Sequence, residues 1–149
     1  ARRRKSADKR AAGEREIASM RGALEPLAVR SIARAPSAAH LKDLREILKR
    51  GDAAENLFDS ESANRDFHIA LARPCAMPRL IATITELNLA YSRHVFASAA
   101  GQEWKPRYNF DHWHIFEAYA SGKLEEAAIL LARHIKSVDR VNLRPKVAV

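Results

Sequence analysis

The sequence predicts an all-α protein, and three observations lead to this fold class. The chain of 149 residues contains only five Gly and six Pro, and it is rich in Ala, Leu, Glu, Lys and Arg, which favour helices. Its apolar residues recur every three or four positions, as on one face of a helix, and do not alternate as in a half-buried strand. No segment reaches 18 uncharged apolar residues, which excludes a membrane-spanning helix. We therefore expect one helical domain with a single core.

The positive charge is concentrated at the N-terminus. The formal net charge is +8, and residues 1–15 contribute +5 of it. A basic tail of this kind is usually solvated, and although it attracts phosphates, it has no fold with which to read a DNA sequence. We predict that residues 1–13 form a basic linker or the frayed start of a helix.

Cysteine content and targeting signals indicate the compartment. The single cysteine, Cys75, excludes an internal disulfide and fits a reducing environment. The sequence has no signal-peptide pattern. These features predict a cytoplasmic protein.

The first amphipathic helix is predicted to begin at Glu14. Pro26 lies inside it and should kink or break it locally. Arg21 lies at the edge of the apolar stripe, with Glu25 one turn later. Two interpretations remain open: a surface ion pair worth roughly a few tenths of a kcal/mol, or a cation that faces a ligand pocket. The stripe comprises Ile17, Met20, Leu24, Leu27, Ala28 and Ile32.

Turn and capping residues delimit three further helices. Ser37 follows Pro36 and is a suitable N-cap for the second helix, which Gly51 closes. The third helix ends before Pro74. Pro78 suits the first turn of the fourth helix, because proline has no amide hydrogen to lose there.

The last two helices are predicted to form a hairpin. A loop over residues 101–106 precedes the fifth helix, and Ser121-Gly122-Lys123 turns the chain into the sixth. Beyond about Asn142 the chain should be loose. The predicted organisation is therefore a folded domain over residues 14–143 and a loose tail over residues 144–149.

Three of the six histidines fall within the apolar stripe of their own helix: His68, His112 and His134. Asn64 precedes His68 by four residues and so shares its helix face. A buried polar group costs about 1–3 kcal/mol unless it finds a partner. These four side chains therefore need something opposite them. The remaining histidines lie outside their stripes: His40, His94 and His114.

The predicted hairpin brings two of these histidines together. His112 lies ten residues before Gly122 and His134 lies twelve after it, so at about 1.5 Å per residue both reach nearly the same height. Asn64 and His68 would complete a set of three nitrogens and one oxygen inside the bundle. Neutral imidazole binds Zn, Ni, Fe or Mn. The pattern predicts a metal site, with ordinary core histidines as the alternative.

Four short motifs in this chain occur in an order and at spacings typical of one known domain. They are Arg21-x-x-Leu24-Glu25-Pro26-Leu27-Ala28, Asn64-x-x-Phe67-His68, Asp111-His112 followed by Glu117-Ala118 and Gly122, and Ala132-x-His134-Ile135. Together they make the stretch from about Met20 to Arg140 resemble the FCD domain. That domain is the effector-binding C-terminal half of a large branch of the GntR family of bacterial transcription regulators.

The resemblance implies an antiparallel bundle of six or seven helices around a central metal and ligand pocket. It also implies a homodimer, a small carboxylate effector beside the metal, and DNA binding through an N-terminal winged helix-turn-helix. Residues 1–13 could not form such a head, so we expect this chain to be the effector domain alone. The implied metal ligands are Asn64, His68, His112 and His134, holding Zn or Ni first and Mn or Fe as alternatives. We expect Arg21 to be a second anchor for the carboxylate.

Two positions depart from the family pattern. Asn64 stands where the family more commonly has Asp, so the oxygen is kept and a negative charge is lost. Met77 stands where the family often has Asn, so the pocket wall there is expected to differ from that of the family.

Two other function classes are alternatives to a ligand sensor. A helical metal-dependent hydrolase or transferase would need a general base near a metal-bound water. Because Asp66, Asp111 and Glu117 all lie outside the apolar stripes, we do not expect an enzyme. A purely structural dimerisation bundle would need no ligand at all.

Overall fold

The structure is a computed structural model that describes the backbone of residues 2–106 and 109–142, and the side chains of residues 3–106 and 109–137. Within these ranges the chain is an all-α bundle without strands, as predicted. A short 3-10 helix, Arg73–Cys75, joins the third helix to the fourth. The α-helices are α1 (Arg2–Arg30), α2 (Ala38–Asp52), α3 (Leu57–Ala72), α4 (Pro78–Ala99), α5 (Phe110–Ala120) and α6 (Leu124–Asn142).

Helix α1 begins earlier than its apolar stripe indicates. It starts at Arg2 and not near Glu14, so most of the basic segment is helical, with residues 3–10 exposed. The helix also continues through the buried Pro26 without a break. The role of residues 1–13 as a linker stays a prediction.

The buried face of α1 differs from the predicted stripe. Met20 and Leu27 are 41% and 45% exposed, whereas Arg21 and Glu25 are only 4% and 1% exposed. Arg21, Glu25 and the buried Ala28 recur at intervals of four and three residues, so they share one side of the helix. The interior side of α1 therefore carries two charged side chains.

Local sequence explains where the other helices begin and end. The Ser37 hydroxyl accepts a hydrogen bond from the His40 amide at 3.1 Å, which confirms Ser37 as the N-cap of α2. Pro78 is the first residue of α4, as predicted. Gly122 has a φ of +75° in the turn between α5 and α6, a conformation that glycine adopts without a steric cost.

The bundle is organised around α1 and the α5–α6 hairpin. Helix α1 packs against α6, α4 and α3, while α2 packs against α3 and α5. The interior between them is filled by large side chains, including Leu44, Phe67, Ile84, Tyr119 and Leu131. The predicted loose tail beyond Asn142 lies outside the described residues.

None of the described helices is both long and apolar enough to cross a lipid bilayer.

Candidate metal centre

The three stripe histidines meet in the interior. Their ring centroids lie 4.5 to 5.6 Å apart, and one nitrogen of each ring lies within 4.8 Å of those of the other two. His68 comes from α3, His112 from α5 and His134 from α6. The hairpin spacing therefore placed His112 and His134 correctly opposite each other.

The side chain of Glu25 determines which nitrogen of His68 is available. Nδ1 of His68 lies 2.7 Å from Oε2 of Glu25, and a carboxylate can only accept, so Nδ1 carries the proton and donates. Nε2 is then unprotonated and is the nitrogen left for a ligand. A carboxylate behind a histidine is the usual support for a metal-binding imidazole.

The same arrangement holds for the other two rings. Nδ1 of His134 lies 3.1 Å from Oδ2 of Asp111, and Nδ1 of His112 donates to Oδ1 of Asn109. In both rings Nε2 is again left without a proton. These two Nε2 atoms face each other at 3.0 Å.

Two unprotonated nitrogens at this distance have no proton to share, so their lone pairs repel. Protonating a ring would relieve the repulsion, but burial lowers the pKa of His68 to about 4 and lowers the pKa values of His112 and His134 as well. A metal ion relieves it without a proton: ligands at about 2.1 Å from one ion lie roughly 3 Å apart. The side chains present therefore fit a divalent ion of the kind that binds imidazole.

Glu25 connects the centre to α1 and α4. Its carboxylate accepts from Nε of Arg21 at 2.8 Å and from Nδ2 of Asn88 at 2.7 Å, in addition to His68. Burial alone would raise the pKa of Glu25, but the charge of Arg21 and the hydrogen bonds from His68 and Arg21 outweigh it and hold that pKa far below its usual range. Glu25 is therefore ionised, and it holds the His68 ring in one orientation.

The structure places Asn64 beside a second buried carboxylate. Nδ2 of Asn64 donates to Glu61, with its nitrogen 3.3 and 3.5 Å from the two carboxylate oxygens. The amide oxygen is then the atom that Asn64 has left for a ligand. The convergent cluster in the described residues consists of the three histidines, and Asn64 as a fourth ligand stays a prediction.

A cavity of about 820 Å³ opens beside the histidines. It is lined by residues that include Glu61, Asn64, Tyr91, Asp111, His112 and His134. A volume of this size is typical of a small-molecule site. Met77, the second departure from the family pattern, is 43% exposed and is not among the described side chains that line this cavity.

Arg21 forms the ion pair with Glu25 that the first interpretation of its position expected, but the pair is buried and not at the surface. Its guanidinium lies over the ring of Tyr91, 4.8 Å from the centroid, and Tyr91 lines the cavity. Its positive charge also lowers the pKa values of all three histidines. Contact between Arg21 and an effector stays a prediction.

Sequence reasoning missed several polar side chains of the site. Glu61 lies three residues before Asn64 and seven before His68, so helical periodicity is the signal that could have placed it on their face of α3. Asp111 lies outside the apolar stripe, so the sequence gives it no role in the site. It is exposed, but it accepts a hydrogen bond from Nδ1 of His134 and so supports that ring. Asn109 gave no signal, because it precedes α5 and lies in no periodic segment.

The other histidines have ordinary structural partners. His40 was expected at the surface but is half-buried, with Nε2 3.2 Å from the Tyr119 hydroxyl. His94 is half-buried and lies 3.6 Å from Glu14. His114 is exposed, as expected.

Comparison with known proteins agrees with this arrangement. A family model, the FCD domain, matches residues 16–137. The chain belongs to the FCD domain family. It is thus the effector-binding domain of a GntR-type transcription regulator, and FCD domains are parts of regulators, not enzymes. No curated protein and no solved structure matches the chain significantly.

Proposed function

We propose that this FCD domain senses a small organic acid at a divalent metal ion held by His68, His112 and His134, with the amide oxygen of Asn64 as a further ligand. The observation that carries the proposal is the convergence of one nitrogen from each of three histidines beside a cavity of about 820 Å³, with the Nδ1 atoms hydrogen-bonded to other side chains. Core histidines of a purely structural bundle would instead pair their second nitrogens with donors.

The donor set indicates the kind of metal and the kind of ligand. Three imidazoles favour Zn or Ni, with Mn or Fe as weaker alternatives, over Mg or Ca, which prefer oxygen. When bound, the ion supplies a Lewis-acidic position for an anion. Imidazoles and an amide are neutral, so the charge of the ion stays uncompensated by its ligands. A carboxylate from the effector would complete the coordination and compensate that charge.

Helix α1 offers a route from the metal to the rest of a regulator. The His68 ring contacts Glu25, which belongs to a continuous helix that reaches back to Arg2. At about 1.5 Å per residue α1 is about 43 Å long. An effector that favours one position of His68 therefore favours one position of α1, and hence of the segment that would lead to a DNA-binding head.

Dimerisation and DNA binding belong to the same proposal. Met20 and Leu27 are large, exposed apolar side chains on α1, and being seven residues apart they share one face. We infer a cytoplasmic homodimer in which such apolar surface is covered by the second copy. DNA would be bound by a separate winged helix-turn-helix.

Metal analysis tests the proposal directly. Chain purified without a histidine tag should contain about one divalent ion per chain by elemental analysis. The double variant His68→Ala/His112→Ala should lose it, whereas the exposed control His114→Ala should keep it. If neither purified nor metal-soaked wild type holds the ion, the metal-based sensor is wrong and the structural bundle remains.

Ligand screening tests the proposed binding of a small organic acid. With metal present, some members of a panel of monocarboxylic, dicarboxylic, tricarboxylic and sugar acids should raise the melting temperature. The same acids should have no effect on the double variant. Steady turnover of an ester or thiol substrate by the metal-loaded chain would instead favour the enzyme.

A further inference from the structure

Glu61 is a buried carboxylate that lines the cavity and contacts Asn64, but lies outside the histidine cluster. Its residue is 7% exposed, and it lines the same cavity as His112 and His134. It is not a member of the convergent cluster in the described part of the chain.

Its hydrogen-bonding capacity is only partly used. Oε1 accepts from the Ser92 hydroxyl at 2.9 Å, and the Asn64 amide is shared between the two oxygens at 3.5 and 3.3 Å. A carboxylate has about four acceptor positions, and these two donors fill roughly half of them. Because Glu61 lines the cavity, its remaining acceptor positions suit a donor that enters there.

Resting on the function proposed above, we propose that Glu61 binds a hydrogen-bond-donating group of the effector, either a hydroxyl or an ammonium. The effector would then be a hydroxy acid or an amino acid, with its carboxylate at the metal and its donor at Glu61. A second carboxylate at that end would face Glu61 with like charge and with no proton to donate.

The rest of the cavity favours the same class. Its other acidic lining residues are Glu14, Glu103 and Asp111, and Lys105 is the lysine among the lining residues. Glu14 and Asp111 are partnered by His94 and His134. A dicarboxylate would therefore enter a cavity whose described wall is more acidic than basic, whereas an acid with a donor at its far end would not be repelled.

A series of acids that differ only in the terminal group tests the inference. The probes are butyrate, 4-hydroxybutyrate, 4-aminobutyrate and succinate, together with their homologues of three, five and six carbons, titrated into the zinc-loaded chain by calorimetry. At the best length we expect the hydroxyl- or amino-terminated acid to bind about tenfold or more tightly than the methyl-terminated one. Succinate or its homologue should bind weakest, and the hydroxyl and amino arms identify which donor is preferred.

Two variants assign the preference to Glu61. Glu61→Gln keeps the size and an acceptor oxygen for the Ser92 hydroxyl but removes the charge, so the advantage of the amino-terminated acid should fall about tenfold and dicarboxylate binding should improve. Ser92→Ala removes one donor to Glu61 but keeps its side chain, and it should keep the preference for a donor. Glu103→Gln, at an exposed position on the cavity wall, is the matched control and should change neither.

The outcomes separate this inference from the proposed function. If acids bind the zinc-loaded chain but the terminal donor gives no advantage, or if Glu61→Gln keeps that advantage while remaining folded by circular dichroism, the role of Glu61 is wrong and the metal-based sensor stands. If no acid of any length binds, the carboxylate sensor itself is overturned, and the role of Glu61 falls with it.

Discussion

Helix α5 carries two buried polar side chains on one face, and their surroundings differ. Tyr119 is fully buried, and its hydroxyl donates to the Leu71 carbonyl at 3.3 Å and lies 3.2 Å from His40 Nε2. His112, two turns earlier, is satisfied at Nδ1 by Asn109, but its Nε2 faces another unprotonated nitrogen, that of His134. The hydrogen bonds of Tyr119 are complete within the protein, whereas Nε2 of His112 is an acceptor that suits a cation.

The comparison shows which buried polar groups indicate function. Burial alone does not separate Tyr119 from His112, since both lie on the interior face of α5. What separates them is the count of donors and acceptors. At Tyr119 every donor has an acceptor, whereas the three histidines keep acceptors that no described donor matches.

The largest expected effect concerns the carboxylate that supports His68. Glu25→Gln leaves the buried Arg21 without its counter-charge, and breaking a buried pair on one side costs roughly 3–5 kcal/mol. Loss of the carboxylate behind His68 should also weaken zinc binding by about 10- to 100-fold. Urea unfolding of the metal-free protein and zinc titration against a chelator measure the two effects separately.

A double variant separates metal support from folding. In Arg21→Met/Glu25→Gln the unpaired cation is gone, so stability should largely return while zinc binding stays weak. Glu125→Gln is the surface control, because Glu125 pairs with Arg30 in an exposed salt bridge, and it should change neither quantity. If zinc affinity recovers together with stability, Glu25 contributes only to folding.

The pH dependence of the metal-free protein is expected to come next in size. Burial lowers the pKa of His68 from 6.5 to about 4, so between these values the unfolded chain binds a proton that the native chain does not. Stability should therefore be complete above pH 6.5 and fall with decreasing pH across this window. His68 alone should account for a loss of about 2–3 kcal/mol between pH 7 and 4.5.

The contribution of His68 can be isolated by difference. The free energy of unfolding is measured with urea for wild type and for His68→Leu at pH 7 and 4.5, with a chelator present. Contributions from other titrating groups, such as Glu61, cancel when the pH-dependent losses of the two proteins are subtracted. The variant should lose about 2 kcal/mol less than the wild type. Equal losses in the two proteins would mean that His68 titrates at its ordinary pKa and is not buried as a neutral ring.

The candidate metal centre shows how much of a site can be predicted from sequence. Periodicity and hairpin spacing were enough to bring His68, His112 and His134 together, because both depend only on helix geometry. They did not place Glu25 and Glu61 inside, although both share a face with site residues, since ionisable side chains are rarely buried unless paired. Their partners come from other helices, which no local pattern reveals.

The N-terminal part of α1 was missed for a different reason. Residues 3–10 are exposed, so this stretch has no apolar stripe for periodicity to detect. Arginine, lysine and alanine nevertheless have high helix propensity, and the segment continues a helix already nucleated by the bundle. Adding residues to an existing helix avoids the cost of nucleation.

The smallest expected effect concerns Tyr119, whose hydroxyl has all its hydrogen-bond partners within the protein. Tyr119→Phe keeps the ring and removes the hydroxyl, which leaves the Leu71 carbonyl and His40 without that partner. The free energy of unfolding should fall by about 1–2 kcal/mol, measured by urea unfolding. Zinc affinity should stay within about twofold of wild type, because the hydroxyl contacts none of the three ligand histidines.

A double-mutant cycle decides whether the two ends of α5 are independent. Tyr119→Phe combined with His40→Ala should show a coupling of about 0.5–1 kcal/mol, since the two side chains touch. Tyr119→Phe combined with His134→Ala should be additive within roughly 0.5 kcal/mol, as expected for residues without shared partners. Strong coupling in the second pair, or a large loss of zinc affinity in Tyr119→Phe, would mean that α5 transmits strain between its ends. The Tyr119 end of α5 would then take part in sensing. If the second pair is additive, that end only supports the metal centre.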